Sequence, residues 1–132
     1  LNIAKAVLLP HVNRLTLGKR YENIALSYLQ KAGLELIERN VCYPVGELDL
    51  IMSDRQTIVF VEVRFRRSDA FGGAIQSVTL KKQRRLLKAA SHWLMAQNRS
   101  LEDTDCRFDI FAITGNEVEW IENAFNLDDI CN

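Results

Sequence analysis

Cysteine is scarce in this chain and nowhere paired. Cys42, Cys106 and Cys131 are odd in number, widely spaced and form no C-x-x-C. That excludes a disulfide framework and a cysteine-based zinc site, and makes a reducing cytoplasm the expected location. No run approaches the roughly 18 apolar residues of a membrane span, so no membrane partner is expected. The apolar patch in LNIAKAVLLP stops at Pro10, and no small-residue cleavage site follows it. Repeats and low-complexity segments are absent too. So is net charge: 17 Lys and Arg balance 17 Asp and Glu, which speaks against a generally basic nucleic-acid coat. The balance conceals a segregation. Arg64, Arg66, Arg67, Lys81, Lys82, Arg84, Arg85 and Lys88 meet only Asp69 in their interval, whereas the last third is acidic. A neutral chain with a basic middle still attracts a polyanion locally.

The 132 residues suffice for one domain with a real core, expected over residues 18–132, with residues 1–17 as an N-terminal arm. Its centre is GELDLIMSDRQTIVFVEVRFRR, Gly46 to Arg67, which reads as two strands and a polar turn. Val59, Val61, Val63 and Phe65 share one face of the second strand; Ile58, Phe60, Glu62 and Arg64 share the other. In the first strand Leu48, Leu50 and Met52 are placed on one face, with Glu47, Asp49 and Ile51 opposite. Hydrophobic residues on both faces mark the middle of a covered sheet.

A hairpin symmetric about the Arg55–Gln56 bond sets Asp49 opposite Glu62. Opposed residues have Cβ atoms roughly 5 Å apart, where like charges are unfavourable. At an effective dielectric of about 20 the repulsion is roughly 3 kcal/mol. A cation removes it. Arg64, two residues on and on the same face, is one such cation; Mg²⁺ or Mn²⁺, which favour clustered carboxylate oxygens, is another. A buried Asp/Glu–Arg network that only sets strand register fits equally.

Lys19 to Ala32 is helical in period and Gly33 is a plausible stop. Glu22 falls on the rim of the apolar face, aimed at the sheet; the alternative is a carboxylate placed favourably near the helix N-terminus. Glu35–Tyr43 reads as an edge strand. Ser68 to Thr79 is a connecting loop with Gly72, Gly73 and Gln76. Leu80 to Gln97 is the strongest helix, with Leu80, Leu87, Ala90 and Leu94 as its buried stripe, and Gln83 pointing into it. Lys81, Arg85, Lys88 and His92 line the opposite side. Such a stripe is either a solvated face or a phosphate track, and His92 has no second His near it to make a metal site. Residues 105–113 and 117–121 read as closing strands with structural or exposed acids, and NAFNLDDICN as a short helix or tail.

The order of helix with acid, strand with acid, strand with E-x-basic and basic helix resembles the PD-(D/E)xK nuclease superfamily. More closely, the segment from Gly18 to about Phe125 resembles the YraN-like family of bacterial proteins, related in fold to archaeal Holliday-junction resolvases. The matching stretches are GKRYENIALSYL, GELDLI, VFVEVR, FGGAIQSVTLKKQRRL, CRFD and IENAF. The resemblance implies an α/β fold with a restriction-endonuclease-like core, a mixed central β-sheet flanked by α-helices. It implies Asp49 and Glu62 as metal carboxylates for Mg²⁺ or Mn²⁺, the Val63 backbone carbonyl as a further ligand, and Glu22 as the acid that completes the site. Glu47 would act through water or be structural. Arg64 stands where the superfamily has Lys and, always protonated, cannot serve as a base; Leu48 replaces the Pro of Pro-Asp. Arg66, Arg67, Gln76, Lys81, Lys82, Arg85 and Lys88 become the nucleic-acid contacts. The implied activity is metal-dependent endonuclease hydrolysis of DNA, on branched or damaged substrates, and resolvases act as homodimers. The competing readings are a non-catalytic nucleic-acid-binding module on the same fold and a protein-interaction subunit using the acidic last third.

Overall fold

The structure, a computed structural model, describes residues 14–70 and 72–126. Helix α1 (Arg14–Lys31) leads into strands β1 (Glu35–Tyr43), β2 (Gly46–Asp54) and β3 (Thr57–Arg66). A 3₁₀ turn (Ile75–Ser77) and helix α2 (Leu80–Met95) follow, then β4 (Cys106–Thr114) and β5 (Glu117–Phe125). The helix start at Arg14 places residues 14–17 in α1 rather than in an arm; residues 1–13 lie outside the described residues. Gly33 ends α1 as expected: its φ of +104° lets Leu34 N–H return to Leu29 O at 3.0 Å.

The five strands form one sheet in chain order. Three pairings are antiparallel, and β3 pairs with β4 in parallel, with α2 as the crossover. This is a mixed α/β sheet between two helices, consistent with a restriction-endonuclease-like core. One face packs Ala25 and Leu29 of α1 on Leu50, Val59 and Phe111. The other packs Leu86, Ala90 and Trp93 of α2 on Ile51, Phe60 and Ile110. These are the alternate sets the period-two pattern predicts.

Three expectations need correction. Leu48 packs with Ile51 on the α2 side, not with Leu50 and Met52, so β2 turns over at Asp49. Leu80 is 47% exposed: as the first residue of α2 it precedes the buried stripe instead of opening it. The segment from Glu122 to Phe125 is not a terminal helix or tail; it continues β5, and residues 127–132 lie outside the described residues. That continuation passes an irregularity at Asn123, whose φ is +51°. Its N–H donates to Asp109 Oδ1 at 2.9 Å.

Candidate metal and phosphodiester site

Among the described residues, Glu62 and Asp109 are the two charged side chains that are buried. They are buried in different ways. Asp109 is saturated with donors: Arg107 Nε at 3.1 Å, Trp120 Nε1 at 2.9 Å and the Asn123 N–H. Arg107 also reaches Asp54 Oδ2 at 3.1 Å, so the group is a lock between β2, β4 and β5. A buried charge with every lone pair engaged is a structural element. Glu62 is 4% exposed, and its Oε2 has no hydrogen-bond partner.

The hairpin register explains what lies beside Glu62. Leu50 pairs with Val61 and Asp54 with Thr57, the register symmetric about Arg55–Gln56. The next pair would be Asp49 and Glu62, but the ladder stops at Leu50, where β2 turns away. Asp49 Oδ2 instead accepts the Val63 N–H at 2.9 Å, taking the place of a β2 carbonyl. Burial, followed by the hydrogen bond and charge of Glu62, holds the Asp49 carboxyl far above the usual carboxylate range; the Val63 N–H and the Lys82 charge act in the opposite sense. Burial and the neighbouring charge thus both favour the protonated form of Asp49.

Glu22 stands next to this pair without joining it. Its carboxylate lies 3.5 Å from Arg39 Nη2 and accepts from the Asn40 amide nitrogen at 2.8 Å. Asn40 has a φ of +55°, a left-handed conformation that Asn tolerates. Burial and then the charge of Asp49 push the Glu22 carboxyl up, while Arg39 and Asn40 pull it down. Among the described residues no three His, Cys, Asp or Glu side chains converge closely enough to hold an ion. The structure thus brings Asp49 and Glu62 together and keeps Glu22 within electrostatic reach, tied to β1.

Arg64 is not aimed at the pair. Its Nε donates to Ser77 Oγ at 2.8 Å, and Ser77 donates to Ala74 O. The cation at the site is Lys82, with Nζ 3.5 Å from Glu62 Oε2. Helical spacing contains the signal: Lys82 is four residues before buried Leu86, one turn along the same face. Gln83 is structural, donating from Nε2 to Val78 O at 3.1 Å.

A cavity of about 390 Å³ adjoins Lys82, walled by Tyr43, Glu47, Lys82, Arg85 and the β1–β2 turn. Gly46 makes that wall possible, because a Cβ there would lie 2.8 Å from Arg85 O. Arg85 Nε donates to Val45 O at 3.2 Å, joining turn and helix. Glu47 is exposed and lines the cavity together with Lys82. Lys81 and Lys88 are exposed on α2, and Gln76 is exposed beside the Gly72–Gly73 bend. Arg66 and Arg67 are exposed at the end of β3; burial pushes the Tyr21 phenol of α1 up, and the nearby Arg67 charge offsets part of that rise. A larger concavity, about 740 Å³, lies between α1 and the start of β5. Lys19, Arg20, Tyr28 and Lys31 line it, and it has no acid, so it shares none of this chemistry.

A mixed sheet whose central hairpin opens over a buried acid and its partly buried neighbour, next to a basic helix, defines the class of this protein. The chain belongs to the uncharacterised protein family UPF0102, whose sequence profile matches residues 21–113. A UPF0102 protein of Yersinia enterocolitica is 59% identical over 111 residues, which is 84% of this chain and 95% of the relative. One from Serratia proteamaculans is 56% identical over 117 residues, 89% of this chain and 100% of the relative. The matched segment contains Glu22, Asp49, Glu62 and Lys82. No helix among the described residues is long and apolar enough to cross a membrane.

Proposed function

We propose that this protein is a divalent-metal-dependent nuclease that hydrolyses DNA phosphodiesters, with branched or damaged DNA as its substrate class. The observation that carries the reading is the contrast between the two buried acids: Asp109 is saturated, whereas Glu62 Oε2 is buried without a hydrogen-bond donor beside a second carboxyl. Lys82 at 3.5 Å offsets the charge of that oxygen without hydrogen-bonding it, and an acceptor left so at that depth is unfavourable by about 1–3 kcal/mol. The donor set, two carboxylates and the backbone at Val63, suits Mg²⁺ or Mn²⁺. Such an ion would supply Lewis-acid polarisation of a phosphoryl oxygen and a more acidic bound water. The chain's residues do the rest. The Val63 N–H orients Asp49, the Gly46–Arg85 contact holds the cavity wall, and Lys81, Arg85 and Lys88 offer charge to flanking phosphates.

Incubation of the protein with labelled junction, flap and linear DNAs in Mn²⁺ tests the reading. Cleavage by wild type, lost in Asp49→Ala, is expected; equal cleavage by both, or by neither, refutes it. One observation favours a non-catalytic DNA-binding module on the same fold: Arg64, at the superfamily's lysine position, is bonded to Ser77. On that reading the DNAs shift in a gel without being cut. Reversal of Lys81, Arg85 and Lys88 to Glu is expected to abolish binding under either reading.

A further inference from the structure

We propose that Lys82 is the built-in counter-ion of the Asp49–Glu62 pair, occupying the pair in the metal-free protein and withdrawing from it when a divalent cation binds. The inference rests on the metal reading above and gives it a regulatory element within the chain.

Four observations support it. The Lys82 ammonium is 3.5 Å from Glu62 Oε2, beyond the 2.7–3.2 Å of an ordinary hydrogen bond, so it neutralises the acids without satisfying that oxygen. Its stem is partly exposed while its backbone is held. The side chain is 41% exposed, whereas the Lys82 N–H is capped by Thr79 Oγ1 at 3.2 Å and the helix is wedged against Gly46. The competing cation is removed by other bonds, since Arg64 is fixed by Ser77. Finally, the cavity beside Lys82 gives the ammonium a second position, close to Arg85, where an incoming phosphate would find both cations. A compact charge on a flexible four-carbon stem suits this exchange, and a planar guanidinium does not.

Two cations cannot share one acid pair without repulsion, so the lysine and the metal compete. Titration with Mn²⁺ by calorimetry is expected to show Lys82→Met binding about tenfold more tightly than wild type. Lys81→Met and Arg64→Met, which remove the same charge nearby without touching the acids, are expected to stay within about twofold. In wild type, acylation of Lys82 followed by mass spectrometry is expected to speed up at least threefold in saturating Mg²⁺, with Lys81 unchanged. This second readout holds even if the Met variant fails to fold. Equal Mn²⁺ affinity in wild type and Lys82→Met, or unchanged acylation of Lys82, overturns the counter-ion role and leaves the metal reading standing. If neither protein binds Mn²⁺, both inferences fall. Binding by Lys82→Met alone supports the counter-ion role directly.

Discussion

Asp49→Asn is expected to stabilise the metal-free protein, and to do so only at higher pH. The new side chain keeps an oxygen for the Val63 N–H that Asp49 now accepts at 2.9 Å, and turns N–H donors toward Glu62. What it removes is the repulsion between two neighbouring carboxylates once both are ionised. For a carboxylate separation of about 5 Å and an effective dielectric near 20, this is roughly 3 kcal/mol. Replacing a charge-assisted bond from Val63 by a neutral one gives back about 1 kcal/mol. The net gain is about 2 kcal/mol, or roughly 5–8 °C in Tm for a domain of this size.

The sign of the pH dependence follows from the Asp49 carboxyl, whose folded pKa lies well above its unfolded value. Between those two values the folded chain holds a proton that the unfolded chain has lost, so wild-type stability falls as pH rises. It is fully present below about pH 4, the unfolded value, and is lost as pH climbs through the folded one. Urea unfolding at pH 4, 7 and 9 is therefore expected to show wild type and Asp49→Asn nearly equal at the lowest pH and furthest apart at the highest. A difference that does not change with pH, or a variant less stable than wild type at pH 9, would refute the electrostatic account of the pair.

Two further outcomes test the frame around the site. Gly46→Ala sets a methyl against the Arg85 carbonyl and is expected to lower stability by about 1–3 kcal/mol, read by urea unfolding, while weakening DNA retention because the cavity wall shifts. Asp109→Ala strips the acceptor from Arg107, Trp120 and Asn123 and is expected to cost about 3–5 kcal/mol of stability with Mn²⁺ affinity unchanged in the folded fraction, since that lock stands apart from Asp49 and Glu62.

Much of the scaffold is legible in the residues themselves. The register of β2 on β3, the stop at Gly33 and the division of core residues between two helices all follow from local chemistry: turn symmetry, a left-handed glycine and alternation. The misreadings fall where one element answers to another. Leu48 changes face because β2 follows β1 away from β3, which no period within β2 records. Phe125 belongs to a strand because the buried Asp109 recruits the Asn123 N–H and carries β5 past its irregularity. At the site the acid pair was readable from spacing, and Lys82 was readable from its position one turn before Leu86. The diversion of Arg64 to Ser77 was not, because it depends on where the 3₁₀ turn meets β3.

The meander from β1 to β3 is closed by short turns, while Lys82 reaches the acids only after α2 docks on the sheet. Hairpins form in about 1–10 μs, and helix docking awaits collapse of the chain. On that order the two acids meet before Lys82 reaches them, so mild acid is expected to speed maturation as well as steady the finished fold.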